Sequence, residues 1–295
     1  MDRDAPPPPA TAPPYGAVDA WVNPSLASVA GTPFLDDVTD RYFRRDRGDV
    51  FADRPVSDLV TAMDAAGIER AIITVDAHAP EPYRDILRTY PDRFIASVVI
   101  DPMQGMNAVR LIERVVRDHD VRLVRMVPFL FNRPPNDKVC YPIYAKCIEL
   151  GVPVSVTTGI PGPPMPAEPQ RPLYLDEVCL FYPDLVLIMA HGADPWWGEA
   201  IRLLLKYPNL YMMTSAYAPK YLPTELLHFM NTRGRTKVMF ATDYPFLPFD
   251  RCVREAQALS LSEDVRRNYL RDNALRVFRW GEAPGAQHDT GGKAS

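Results

Sequence analysis

No stretch of this sequence approaches the ~18 consecutive apolar residues that a membrane-spanning helix requires. Prolines crowd the N-terminus where a secretory leader would carry its apolar core, so no leader is expected. Cysteine is scarce: Cys140, Cys147, Cys179 and Cys252 are scattered and form no Cys-x-x-Cys pair. Such spacing argues against a disulfide framework or a structural zinc site, and predicts reduced, packed thiols in a cytoplasmic protein. Charge of one sign is lacking too, with 33 basic against 37 acidic residues and a net charge of −4. That balance argues against nucleic acid or an anionic membrane as partner. No Gly-x-Gly-x-x-Gly turn follows an apolar run, which removes the usual dinucleotide-binding signal.

What remains is an ordinary globular composition, 47% hydrophobic and 24% charged in 295 residues. Residues 1–14 (MDRDAPPPPATAPP) cannot build a helix or a ladder and are expected to form a disordered arm, as is the Gly/Ala-rich tail 283–295. Between them, short β-rich apolar runs alternate with helical patterns: Ala17–Val22, Arg70–Val75, Phe94–Ile100, Arg122–Val127, Val152–Val156, Leu185–Ala190, Leu210–Thr214 and Lys237–Ala241. Helices are predicted over Val56–Ala66, Pro82–Thr89, Met106–Asp118, Tyr141–Leu150, Tyr174–Phe181, Trp197–Lys206, Glu225–Asn231 and Ser262–Phe278. Gly67 and Gly151 stand where helix C-termini favour a left-handed residue. Eight such repeats fit one closed (β/α)8 barrel over residues 15–282, since that fold typically takes ~250 residues. The segment 23–54 and the proline-laden stretch 160–172 then become long loops on the C-terminal face, where barrel active sites form.

Several segments carry a resemblance in order and spacing: VDAWVNP (residues 18–24), LGVPVSVTTG (150–159), FYPDLVLIMAHGADPWWGEAIRLLLKYPNLYMMTS (181–215), FATDYPF (240–246) and NYLRDNALRVF (268–278). Together they resemble the amidohydrolase-2 family of the amidohydrolase superfamily, which implies a barrel enzyme of hydrolytic or decarboxylating chemistry. The resemblance also implies a divalent-metal site formed by an Asp-x-His-x-His motif ending the first strand, histidines ending strands five and six, and an aspartate ending strand eight. In this chain Trp21, Asn23 and Thr157 fall on three of those positions, while His191 and Asp243 match the other two. An indole N–H only donates, and neutral amide and hydroxyl groups ligate poorly. No tightly bound metal and no other cofactor is therefore expected.

His191 and Asp243 are the candidate catalytic residues: a carboxylate beside an imidazole orients it and raises its basicity. Trp21, Asn23, Thr157, Arg125 at the end of the fourth strand, His78 beyond the second and Tyr217 beyond the seventh are candidate substrate contacts. Asn23 or Thr157 could donate to a developing oxyanion, and Arg125 could grip a carboxylate. Lys220 and Arg171 are weaker candidates at the barrel mouth, whereas His119, His228 and His288 are expected to be solvated.

The leading functional expectation is metal-independent hydrolysis of an activated carbonyl compound, a β-keto acid, β-diketone or β-keto thioester, as in the breakdown of aromatic compounds. Non-oxidative decarboxylation of an aromatic or β-keto acid is the alternative. A catalytically dead binding barrel is a third reading, and a metal held by His191, Asp243 and His78 a fourth. A homodimer is expected from the family resemblance.

Overall fold

The structure, a computed structural model, describes residues 15–281; the expected arm 1–14 and tail 283–295, with His288, lie outside the described residues. Eight strands follow one another around a single parallel sheet: β1 (Ala17–Val22), β2 (Ile68–Val75), β3 (Phe94–Val99), β4 (Val121–Met126), β5 (Val154–Thr157), β6 (Leu187–Ala190), β7 (Leu210–Met213) and β8 (Val238–Met239). Each lies within two residues of its expected start. Buried on both faces, they carry apolar side chains without alternation, as parallel strands under helices do.

β1, the weakest of the eight in sequence, is buried at all six positions. It also closes the barrel. Ala20 N donates to Phe240 O at 3.1 Å, Asp243 N to Trp21 O at 3.0 Å and Asn23 N to Tyr244 O at 2.9 Å. Asp19 reinforces the seam: Oδ1 accepts from Trp21 N and Thr242 N, both at 3.0 Å, and Oδ2 accepts from Thr242 Oγ1 at 2.6 Å. Inside the barrel pack Val18, Ile72, Ile95, Leu123, Ile188, Met213 and Met239, closed off by Val277 and Phe278. A larger apolar layer joins the opposite strand faces to the helices.

Four of the eight expected helices match end to end: Val56–Ala66, Tyr141–Leu150, Tyr174–Phe181 and Trp197–Lys206. Gly67 and Gly151 follow two of them at φ 75° and 66°, as capping requires. Two differences matter. The helix Phe249–Gln257 was not anticipated, although its buried Phe249, Cys252, Val253 and Ala256 fall at helical spacing. The single long helix expected at the end is instead an α-turn (Glu263–Arg267), a π-helical turn (Asn268–Asp272) and a second α-turn (Asn273–Val277). There Asn273 turns inward and donates to Val238 O and Arg235 O.

The segment after β1 is not plain loop. It holds a short helix Pro33–Asp37 running into a π-helix Val38–Phe43, which lies over the C-terminal face. The proline-rich stretch after β5 folds against it at Gly162. A Cβ there would meet Val38 Cγ2 at 3.0 Å, so the two covers come this close because the side chain is absent.

Candidate active site

A cavity of about 150 Å³ opens at the C-terminal ends of the strands. Its walls come from the covers: Phe34, Leu35, Val38, Tyr42 and Phe43 after β1, Phe129 after β4, and Ile160, Pro161, Gly162 and Pro163 after β5. His191 after β6, Tyr217 after β7 and Asp243 after β8 form its deep end, beside Thr158, Gln170 and Phe246. Ring pairs set the walls in place, with Phe43 stacked on Phe246 at 5.0 Å and Phe34 edge-on to Phe129 at 6.4 Å.

His191 and Asp243 are non-glycine residues held in the left-handed region, at φ 66° and 67°. Such a conformation costs about 1–3 kcal/mol per residue and concentrates at functional sites. It points the two side chains out of the strand direction and into the cavity. The chain leaves β6 through a second left-handed residue, Gly192 at φ 66°, on which Trp197 packs. A Cβ at Gly192 would meet Trp197 Cη2 at 2.3 Å. Gly192→Ala is therefore expected to destabilise the protein by about 1–3 kcal/mol, read as a lower urea midpoint with an unchanged slope. A midpoint equal to that of the parent protein would show that this turn has room to adjust.

The two catalytic candidates share the cavity, but each has its own partner. His191 Nδ1 lies 2.8 Å from Ser215 Oγ, which also accepts the His191 backbone N–H at 3.2 Å. Asp243 Oδ1 accepts from Asn23 Nδ2 at 3.0 Å. The direct carboxylate–imidazole contact expected from the sequence is replaced by these neighbours. Electrostatics diverge accordingly. Burial, aided by the nearby Arg125 charge, lowers the His191 imidazole to about 3. Burial raises the Asp243 carboxyl to about 8, against the opposing pull of Asn23 and Arg125. Near neutral pH the site thus pairs an uncharged imidazole with a protonated carboxyl.

Arg125 does not reach the cavity. It is fully buried beneath Trp21, with Cζ 3.6 Å from the indole centroid. Nε donates to Ser97 Oγ at 2.7 Å and Nη2 to Ala20 O at 3.1 Å, while Nη1 is buried without a partner. Burial lowers this guanidinium to about 9, opposed by the charges of Asp243 and Asp19. It stays charged at neutral pH. Its expected role in gripping a substrate carboxylate is thus corrected, because the indole covers it. Trp21 in turn touches His191, the two ring centroids lying 4.5 Å apart.

Trp21, Asn23 and Thr157 likewise stand behind the lining rather than on it. Asn23 is engaged with Asp243 and with Tyr244 O. The Thr157 hydroxyl donates to Gln170 Oε1, so neither group is free for an oxyanion. Tyr217 lies on the cavity wall, its phenol pushed up by burial and by the adjacent Tyr42 and Asp194. His78 is exposed and belongs to a separate surface depression with Arg110 and Arg114. Lys220 pairs with Glu255 at 3.9 Å, and Arg171 with Glu199 at 3.1 Å, both away from the lining. Sequence reasoning missed Ser215, Gln170 and the Phe34–Phe43 wall. Ser215 stood inside a quoted motif, but nothing in a linear pattern pairs it with His191.

The amidohydrolase family model matches residues 18–280. The chain belongs to the amidohydrolase family. Solved structures agree on the fold. An uncharacterized TIM-barrel protein, Bb4693 from Bordetella bronchiseptica, is 23% identical over 90% of this chain and 99% of its own, with a TM-score of 0.74. The 5-carboxyvanillate decarboxylase of Novosphingobium aromaticivorans, solved with manganese and a nitrobenzoic acid, is 15% identical over 90% of this chain and 96% of its own, at a TM-score of 0.67. The 2,6-dihydroxybenzoate decarboxylase from Rhizobium is 18% identical over 90% and 99%, also at 0.67. No curated protein matches. No helix among the described residues of this amidohydrolase is long and apolar enough to cross a membrane.

A divalent metal, as in the manganese-bound relative, does not fit the residues present. Among the described residues no group of three or more His, Cys, Asp or Glu could hold one. Around His191 and Asp243 stand the Trp21 indole, the Asn23 amide donating to Asp243 and Tyr244, and the Thr157 hydroxyl donating to Gln170. Against the Trp21 ring lies a buried guanidinium whose Nη1 donor has no partner. A divalent cation needs lone pairs and avoids a second cation; this floor supplies donors and a positive charge.

Proposed function

We propose that this amidohydrolase hydrolyses an activated carbonyl compound without metal, cleaving a C–C bond next to the carbonyl. The observation that carries this reading is the pairing of an uncharged His191 with a protonated Asp243, both on left-handed strand ends in one cavity. When Nδ1–H donates to Ser215 Oγ, His191 Nε2 keeps a lone pair to accept a proton from water. Water oxygen attacks the ketone of a β-diketone or related substrate while Asp243 donates to its oxygen. The tetrahedral adduct collapses, the C–C bond breaks towards the second carbonyl, and the departing enolate carbon takes a proton. One water is consumed, yielding a carboxylic acid and a ketone. Ser215 and Asn23 hold the two groups in orientation, so that little reorganisation accompanies the step.

Non-oxidative decarboxylation is the second reading, favoured by the decarboxylases among the structurally similar proteins. There Asp243 would protonate the carbon that loses CO2. The products decide between the two: released CO2 for decarboxylation, an acid plus a ketone for hydrolysis.

The first experiment combines metal analysis with turnover of benzoylacetone, with and without EDTA. Less than about a tenth of an equivalent of metal, with cleavage that EDTA leaves intact, is the expected outcome. Near-stoichiometric metal with EDTA-sensitive activity would overturn the metal-free reading.

A further inference from the structure

The cavity's chemistry narrows the ligand beyond the reaction class. We propose that it takes an uncharged, single-ring aromatic carbonyl compound, and excludes the carboxylates that the structurally similar decarboxylases bind. The proposal rests on the reading above in one respect: the ligand's carbonyl is the group that His191 and Asp243 address.

Size comes first. About 150 Å³ is the volume of a cavity that accepts one benzene ring, too small for two fused rings with substituents. Shape follows from the walls. Phe34, Phe43, Phe129, Tyr42, Tyr217 and Phe246 offer ring faces and edges around this space. An aromatic guest would meet them in offset and edge-on contacts, each adding to simple burial.

Charge is the third argument. The lining includes neither lysine nor arginine. Arg125 is sealed under Trp21 and does not reach the lining. Buried there, its N–H donors are out of reach of a guest molecule. Arg171 and Lys220 are engaged with Glu199 and Glu255 outside the cavity. Polar groups on the lining are largely committed as well. The Thr158 hydroxyl donates to Gly192 O, and Gln170 Nε2 to Gly159 O at 2.9 Å. A carboxylate entering here would lose its hydration and find no ammonium or guanidinium in exchange, an unfavourable transfer. A neutral carbonyl oxygen needs only one or two donors, and the Asp243 acid at the deep end is one.

The test is calorimetric and needs no turnover. Benzamide and benzoate have nearly the same shape, and the main difference between them is the charge of the carboxylate. Benzamide is expected to bind at least about tenfold more tightly than benzoate at pH 7. Equal or tighter binding of benzoate overturns the proposal, and so does failure of both to bind. A variant supplies the converse. Ile160 is exposed at the rim, so Ile160→Arg places a cation at the cavity with little risk to folding. The ratio of benzoate to benzamide affinity should then rise about tenfold, a typical gain from a charge-assisted bond. No rise in that ratio would show that charge is not what this cavity selects against. Failure here is distinct from failure of the reaction: benzamide preference without diketone cleavage sinks the chemistry and leaves the ligand class standing.

Discussion

His191→Gln lowers hydrolytic turnover of a β-diketone by about 10²–10⁴, the usual contribution of a positioned base, while the fold survives. Glutamine can replace the bond to Ser215, whose Oγ lies 2.8 Å from Nδ1 in the parent protein, but it cannot accept a proton from water. Circular dichroism and thermal melting should therefore be near those of the parent. Wild-type turnover in this variant would remove His191 from the chemistry. The pH profile offers a second check. Because Asp243 is raised to about 8, the protonated acid is present below that value and lost above it. Activity should fall as pH rises through about 8, with no matching fall near 6.5, because the His191 pKa is depressed far below that range. Asp243→Asn should abolish the alkaline limb along with most of the activity.

Arg125→Met has the largest expected effect on stability. The guanidinium is fully buried and holds Ser97 Oγ, Ala20 O and the Trp21 face together. Removing one partner of a buried charged cluster typically costs about 3–5 kcal/mol. The sign of its pH dependence follows from the carboxyls that Arg125 faces. Asp19 and Asp243 are raised by burial to about 7 and about 8 even with the cation present. A carboxyl with a raised folded pKa gives stability below its unfolded pKa that is lost as pH rises through the folded value. Without Arg125 both groups rise further, so the penalty should be largest above pH 8 and shrink at acid pH. Chemical denaturation at pH 6 and pH 9 tests this, and a penalty that does not change with pH would mean the carboxyls do not sense Arg125. Arg125→Lys should recover little, since an ammonium cannot lie flat on the indole while bonding to β1 and β3.

The barrel was legible because its strands and helices are written in local periodicity. Dense apolar runs with glycine after Ala66 and Leu150 needed no tertiary information. The helix Phe249–Gln257 was passed over because charges interrupt its apolar stripe, which must be read at every third and fourth position. Asp243 and His191 were legible from motifs, and they do share one cavity. Their partners were not, because Asn23 reaches Asp243 across 220 residues of sequence and Ser215 reaches His191 across 24. Arg125 shows the limit most plainly. Strand position put it at the active-site end with either it or its neighbours facing inward, but which of these holds, and whether Trp21 covers it, is a matter of packing. The aromatic wall from Phe34 to Phe43 was hidden for a related reason: a segment without a clean repeat reads as loop, and its short helix and π-turn gain their meaning only against the barrel mouth.

That wall has a consequence for how such a protein diversifies. His191 and Asp243, the proposed base and acid, both lie beyond residue 190, whereas much of the surface a guest molecule meets lies before residue 54, in an excursion between the first two strands. Only Val38, Thr39 and Val50 in that excursion's helices are deeply buried, so its other side chains can vary without disturbing the barrel core. Reaction and selectivity are thus inherited on separable stretches of polypeptide. Exchanging residues 26–52 between related barrels should hand over guest preference while leaving the chemistry where it was.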